Sequence, residues 1–158
     1  MRIYLPATLD EIDAVAAGAA GGSAALDPRR VHMVTPALRA ALPDEDDEGL
    51  EFAAQLAAAD DSLLRLAERP SAPHLRLVLA VDVPDAALVA VVDSDAAPSI
   101  AELTVAVALS ELVSAHVDEL DAAADVERAM TGDEHAVERL AQRHLLWYDA
   151  SELTAIPR

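Results

Sequence analysis

Leu75 to Glu119, LRLVLAVDVPDAALVAVVDSDAAPSIAELTVAVALSELVSAHVDE, is the stretch whose reading decides the fold. β-Branched residues cluster here and helix-forming composition gives way to strand-forming composition, so it reads as the core of a sheet. Leu75 to Val83 alternates and then runs continuously apolar, the pattern of a central strand buried on both faces. Ala87 to Val92 reads as a further strand or an extended excursion, and Asp93-Ser94-Asp95 through Pro98-Ser99 supplies turn chemistry. Glu102 to Leu109 alternates Leu103, Val105 and Val107 against Thr104 and small residues, another strand. Leu109, Leu112, Val113, His116 and Leu120 fit a helical period as well as an extended one. The strand is the preferred reading of this segment, with Ser110-Glu111 as a turn. Val113, Ala115 and Val117 then face one side, and Ser114, His116 and Asp118 the other.

Upstream, Arg2 to Pro6 alternates as a half-buried first strand. Thr8 and Glu11 have the spacing of a capping box, in which hydroxyl and carboxylate each satisfy an amide at a helix start. Leu9, Ile12 and Val15 mark the face of that helix, which should end near Gly18. Gly21-Gly22-Ser23 reads as a flexible connection and not a phosphate loop, because no strand precedes it and Pro28-Arg29-Arg30 follows. Val31 to Thr35 is a second short strand, and Thr35-Pro36 an N-cap with proline at the first helical position of a short helix through Leu42. The acidic run Asp44-Glu45-Asp46-Asp47-Glu48 lacks the alternation and glycine turn of a calcium loop, and suits a solvated approach to the next helix. That helix spans about Leu50 to Arg69, with Phe52, Leu56, Ala59, Leu63 and Leu66 as its expected buried face.

Downstream, helices are expected over Ala122 to Met130 and again after Gly132-Asp133, the second facing inward through Val137, Leu140 and Ala141. Leu145-Leu146-Trp147-Tyr148 either continues that helix or forms a last strand, and Ser151 to Ile156 a terminal turn. The whole reads as an α+β fold in the order β-α-β-α-β-β-β-α-α, a mixed sheet of about five strands with helices on at least one face. At 158 residues, with no internal repeat, residues 1–158 form one expected domain.

Composition narrows the functions. There are 29 acids against 11 bases, a formal net charge of −18, and every base is arginine. Such a surface repels phosphate backbones and anionic membranes, so neither nucleic acid nor membrane is an expected partner. With no cysteine, thiolate metal sites and cysteine nucleophiles are excluded. The N-terminus lacks the apolar region of a signal peptide and no apolar run reaches bilayer length, which gives a cytoplasmic expectation.

Taken together, Met1 to Thr8, Val34 to Arg39, Leu50 to Ala54, Ala80 to Pro84, Ala115 to Asp118 and Leu145 to Tyr148 resemble an actinobacterial family of small acidic proteins of unknown function. Its members open M-R-[IV]-Y-[LI]-P-A-T and end L-L-W-Y. The resemblance runs nearly end to end, with Asp85 to Ala101 departing most, and it implies a strand entering a loop at Ala115 to Asp118. It carries no catalytic role to any residue.

Candidate chemistry centres on Asp82, His116 and Asp118. If Asp82 ends a neighbouring strand, the three could form a general base with its orienting partners, or a mixed nitrogen and oxygen metal site. Ser110 and Ser114 are the nearby hydroxyls, neither in a nucleophile elbow. His135 and His144 stand nine apart, unlike a zinc helix, and His32 and His74 receive no role. The lone Trp147 belongs to a core or interface more readily than to ligand stacking, and Glu51 and Gln55 offer a polar helix face to a partner. The leading expectation is therefore a non-catalytic binding or regulatory protein without cofactor or metal, engaging another protein or a second copy of itself. The alternatives are a small hydrolase on Asp82, His116 and Asp118, and an acidic mimic of nucleic acid.

Overall fold

The computed structural model describes residues 1–18, 25–91, 93 and 95–158. The Gly21-Gly22-Ser23 connection lies outside them. Nine strands are described: β1 (Arg2–Ala7), β2 (Ala25–Leu26), β3 (Arg30–His32), β4 (Leu77–Asp82), β5 (Leu88–Ala90), β6 (Ile100–Leu103), β7 (Val107–Ala108), β8 (Leu112–Val117) and β9 (Leu146–Asp149). The helices are α1 (Leu9–Gly18), α2 (Pro36–Ala41), α3 (Asp47–Ala67), α4 (Ala123–Met130) and α5 (Glu134–Ala141), and a 3₁₀ turn at Ala150–Ala155 ends the chain.

The α+β class is as expected, but the sheet is wider than five strands and is not mixed. Its order is β5-β6-β3-β1-β4-β8-β9, with every neighbouring pair antiparallel, and β2 and β7 pair separately. β4 lies between β1 and β8 and is buried from Leu77 to Val81, as its unbroken apolar run requires. Side chains alternate between two cores. Tyr4, Val78 and Ala80 meet Leu50, Ala54, Ala58 and Ala59 of α3. Ile3, Leu5, Leu79, Val81 and Ala115 meet Leu9 and Ile12 of α1 and Leu153 and Ile156 of the terminal turn. Helical segments thus cover both faces of the central strands. The third core joins Leu66 of α3 to Val126 and Ala129 of α4 and Ala136 and Leu140 of α5.

Residues 112–117 are strand, as preferred over helix. The expected strand from Glu102 to Leu109 divides in two. The Thr104 amide donates to the Ala87 carbonyl at 2.9 Å, extending the β5–β6 register by one pair, and its hydroxyl donates to the same oxygen at 3.0 Å before the chain leaves the ladder. A bulge pairs Ala80 with Ser114 and Val81 with Leu112, leaving Val113 as the extra, outward residue.

Helix boundaries follow their caps. Thr35 accepts from the Leu38 amide at 3.0 Å, and Asp46 accepts from Gly49 at 2.9 Å, so α3 starts three residues before the apolar periodicity suggests and carries Asp47 and Glu48 in its first turn. Its buried seam is Leu50, Ala54, Ala58, Ala59, Ser62 and Leu66. Phe52, expected inside, is exposed, because these small residues let α3 lie close to the sheet and rotate the larger side chain outward. Val137 is likewise exposed, the inward positions of α5 being Ala136 and Leu140. Between α4 and α5, Gly132 takes φ 89°, a left-handed conformation that glycine reaches without a Cβ clash. Among the described residues no helix is long and apolar enough to cross a membrane.

Candidate functional site

Register separates the three residues expected to form a catalytic or metal site. Asp82 ends β4 and faces Arg2, whose Nε and Nη2 donate to its two carboxylate oxygens at 2.7 and 2.9 Å in an exposed pair. His116 pairs with Val78, four residues back along β4, roughly 13 Å from Asp82 at about 3.3 Å per residue. Asp118 does share a face with His116, but lies further still from Asp82. It is buried and accepts from the amide, Nε and Nη2 of buried Arg76, each at 2.9 Å. Arg76 also donates to the Leu140 carbonyl at 3.1 Å, so this ion pair ties one end of β4 and β8 to α5. A hydrogen-bonded trio of Asp82, His116 and Asp118 is therefore not formed. Among the described residues, no three His, Asp or Glu side chains gather as a metal site.

His116 instead faces α3. The Gln55 amide donates to Nδ1 at 3.1 Å, and Nε2 donates to the Ser114 hydroxyl at 3.2 Å. Burial, and to a lesser degree the charge of Arg2, hold its pKa below the ordinary histidine value, which keeps the ring neutral at neutral pH. No carboxylate orients it. Nearby along α3, the Tyr4 hydroxyl donates to Glu51 at 3.1 Å, and burial together with that carboxylate raises the tyrosine pKa. This region is a set of satisfied polar contacts between helix and sheet.

Two constellations escape sequence reasoning. His32, buried on β3, bonds Ser99 Oγ through Nδ1 at 2.8 Å and Asp61 Oδ2 through Nε2 at 3.0 Å. This is a serine, histidine and aspartate in series, but Ser99 and His32 are each only 1% exposed, so a substrate has no access to the hydroxyl. The series ties β3 and the turn before β6 to α3. Sixty-seven residues separate His32 from Ser99, and neither lies in a nucleophile motif, so no local signal marks the pair.

The second is Glu11. Its carboxylate accepts from the Thr8 amide at 3.0 Å, as a capping box requires, while the Thr8 hydroxyl donates to Asp10 and Glu11. Arg29 and Arg65 both pair with Glu11. Burial opposes its charge, and the two guanidiniums more than offset that, holding the carboxyl below its ordinary pKa.

The remaining distinctive feature is an edge. β9 pairs with β8 alone and closes one side of the sheet. Its Trp147, opposite His116, stands on the α3 side and is 60% exposed, with Leu146 beside it 40% exposed. On that side Phe52 and His144 bring their rings to 6.0 Å at a 30° tilt. Among the described residues, β9 thus carries exposed aromatic surface on an edge strand.

A model of the family of unknown function DUF6912 matches residues 1–156, and the chain belongs to that family. No curated protein and no solved structure matches it.

Proposed function

We propose that this member of a family of unknown function is a non-catalytic cytoplasmic binding protein that engages another protein through the outer edge of β9. The observation that carries the reading is the exposure of Trp147 on that edge. A tryptophan at the surface leaves a large apolar ring in water, and interfaces gather such rings as the centres of their binding energy. Among the described residues no strand pairs with the outer edge of β9, which leaves that edge to a partner strand. Its sequence, Leu146-Trp147-Tyr148, carries none of the lysines or prolines that blunt edges elsewhere. Catalysis gains no comparable support, since His116, His32, Ser99 and Asp118 each have protein partners and lie apart from a common open site.

Charge bears on the partner. Two copies carrying −18 each repel one another, so a basic partner presenting an apolar strand is favoured over a homodimer. The same charge disfavours nucleic acid and anionic membranes.

The test places a photo-crosslinking amino acid at position 147 of the full chain in its native cells, with the same group at exposed position 137 as control. A protein adduct specific to 147 is the expected result. With the captured partner purified, Trp147→Ala should weaken binding at least about tenfold, the effect of losing a central aromatic contact. Absence of a specific adduct, or unchanged affinity in the variant, overturns the reading. Sedimentation at rising concentration tests the homodimer directly, and a dimer abolished by Trp147→Glu would replace the basic partner with a second copy.

A further inference from the structure

The chain holds one phenylalanine and one tryptophan, and both stand in water, Phe52 at 43% and Trp147 at 60% exposure. The fold brings them to one place. Gln55 of α3 bonds His116, the cross-strand neighbour of Trp147. Phe52, three residues before Gln55 on the same helix face, meets His144, three residues before Trp147 in the chain. That ring contact at 6.0 Å holds the phenyl group while leaving it open to solvent. The two aromatic side chains therefore flank the junction of α3 and β9. Aromatic rings carry the largest apolar area of any side chain, yet the buried face of α3 is made from Leu50, Leu66 and smaller residues, and Phe52 is left outside it.

Negative charge lies on the same helix face. Glu48 stands four residues before Phe52 and Glu51 four before Gln55, the spacing that sets side chains one above another along a helix, and both acids are exposed. The cations next to the junction are turned elsewhere, Arg143 to Asp125 at 3.6 Å and Arg2 to Asp82 at 2.7 Å. A guanidinium stacks on aromatic faces and donates to carboxylates, and this junction presents both. An acidic segment instead meets Glu48, Glu51 and the field of a net charge of −18. A strand added to β9 carries alternate side chains on the α3 side at intervals of about 7 Å, which brings one of them over the junction.

We propose that the binding surface continues from β9 onto α3 and takes an arginine-bearing strand, with one guanidinium lying over Phe52 and Trp147 and against Glu48. This extension rests on the β9 docking reading and adds to it the helix face and the partner side chain that recognise each other.

Blocked octapeptides alternating valine with arginine, with glutamine or with glutamate share a strand-forming backbone and differ in charge. Calorimetry with the full chain measures their affinities, and the fluorescence of Trp147, the sole tryptophan, reports whether they reach the junction. The arginine peptide should bind tightest and the glutamate peptide weakest, with the Trp147 emission shifting to the blue. Phe52→Leu keeps an apolar side chain and removes the aromatic face, and Glu48→Gln removes the charge. Each should weaken the arginine peptide at least about twofold, the size of an exposed cation–aromatic or ionic contact, and more than it weakens the glutamine peptide. Thermal melts of both variants confirm that the fold persists. Glutamine and arginine peptides binding equally, no binding of the arginine peptide, or indifference to Phe52→Leu or Glu48→Gln overturns the proposal. The two readings fail separately. Arginine-peptide binding that is lost in Trp147→Ala but indifferent to Phe52→Leu keeps the β9 edge and removes the α3 face. Attraction of a cationic peptide to the acidic surface in general survives all three substitutions, and that result overturns the extension and the edge together.

Discussion

His116 shows how a side chain's surroundings set its contribution to stability. Its folded pKa lies below the ordinary value of 6.5, so as pH falls the unfolded chain takes up that proton before the folded one does. Stability from this group is complete well above 6.5 and is lost as pH drops through 6.5 and below. The arginine-paired carboxylates Glu11 and Asp82 are shifted below their ordinary values of 4.5 and 3.8, and their share is lost only under more acidic conditions. Urea unfolding at pH 7.5 and 5.5 should therefore show the wild type losing more stability than His116→Gln. Equal losses would mean that the ring stays hydrated. Arg76 and Asp118 make a larger claim. Removing the guanidinium leaves a buried carboxylate alone, and Arg76→Met should cost about 3–5 kcal/mol, with Arg76→Met/Asp118→Asn recovering part of it in the same assay.

Elements show where short-range signals hold and where neighbours override them. The α3 cap is local and exposed, so Asp46→Ala should cost about 1 kcal/mol in thermal unfolding, with no burial effect to confuse it. Ser62 works between elements. Its buried hydroxyl accepts from the Leu77 amide at 2.9 Å and donates to the Ala7 carbonyl at 2.8 Å, pinning α3 to the ends of β4 and β1. Ser62→Ala strands both backbone groups and should cost about 1–3 kcal/mol, more than the lost hydroxyl alone. Trp147 should behave in the opposite way: exposed on β9, its replacement by Ala should shift the melting temperature little while weakening partner binding.

On the scale of the molecule, the net charge of −18 opposes compaction. Raising salt from about 10 mM to about 100 mM shortens the screening length from about 30 Å to about 10 Å, which weakens both this repulsion and the exposed ion pairs. With 29 acids against 11 arginines, repulsion is the larger of the two, and the melting temperature should rise over that range. A fall would show that pairs such as Arg30 with Glu102 and Arg158 with Asp13 outweigh it.

The sequence by itself determined the α+β class, a central strand within Leu75 to Val83, a strand within Leu112 to Asp118, the cap at Thr35 and the acidity of the whole. These follow from periodicity, turn chemistry and charge, which act within a few residues or over the entire chain. The tertiary structure decided which strands are neighbours, and with that every question about a site. Asp82 and His116 stand on adjacent strands yet four residues apart in register, a distance no local pattern encodes. His32 met Ser99 and Asp61, Glu11 met two arginines, and Asp118 was taken by Arg76, because antiparallel pairing and the path of α3 brought distant segments together. The exposure of Trp147 had the same origin. Its strand is as apolar as a buried one, and only its place at the end of the sheet left it in water.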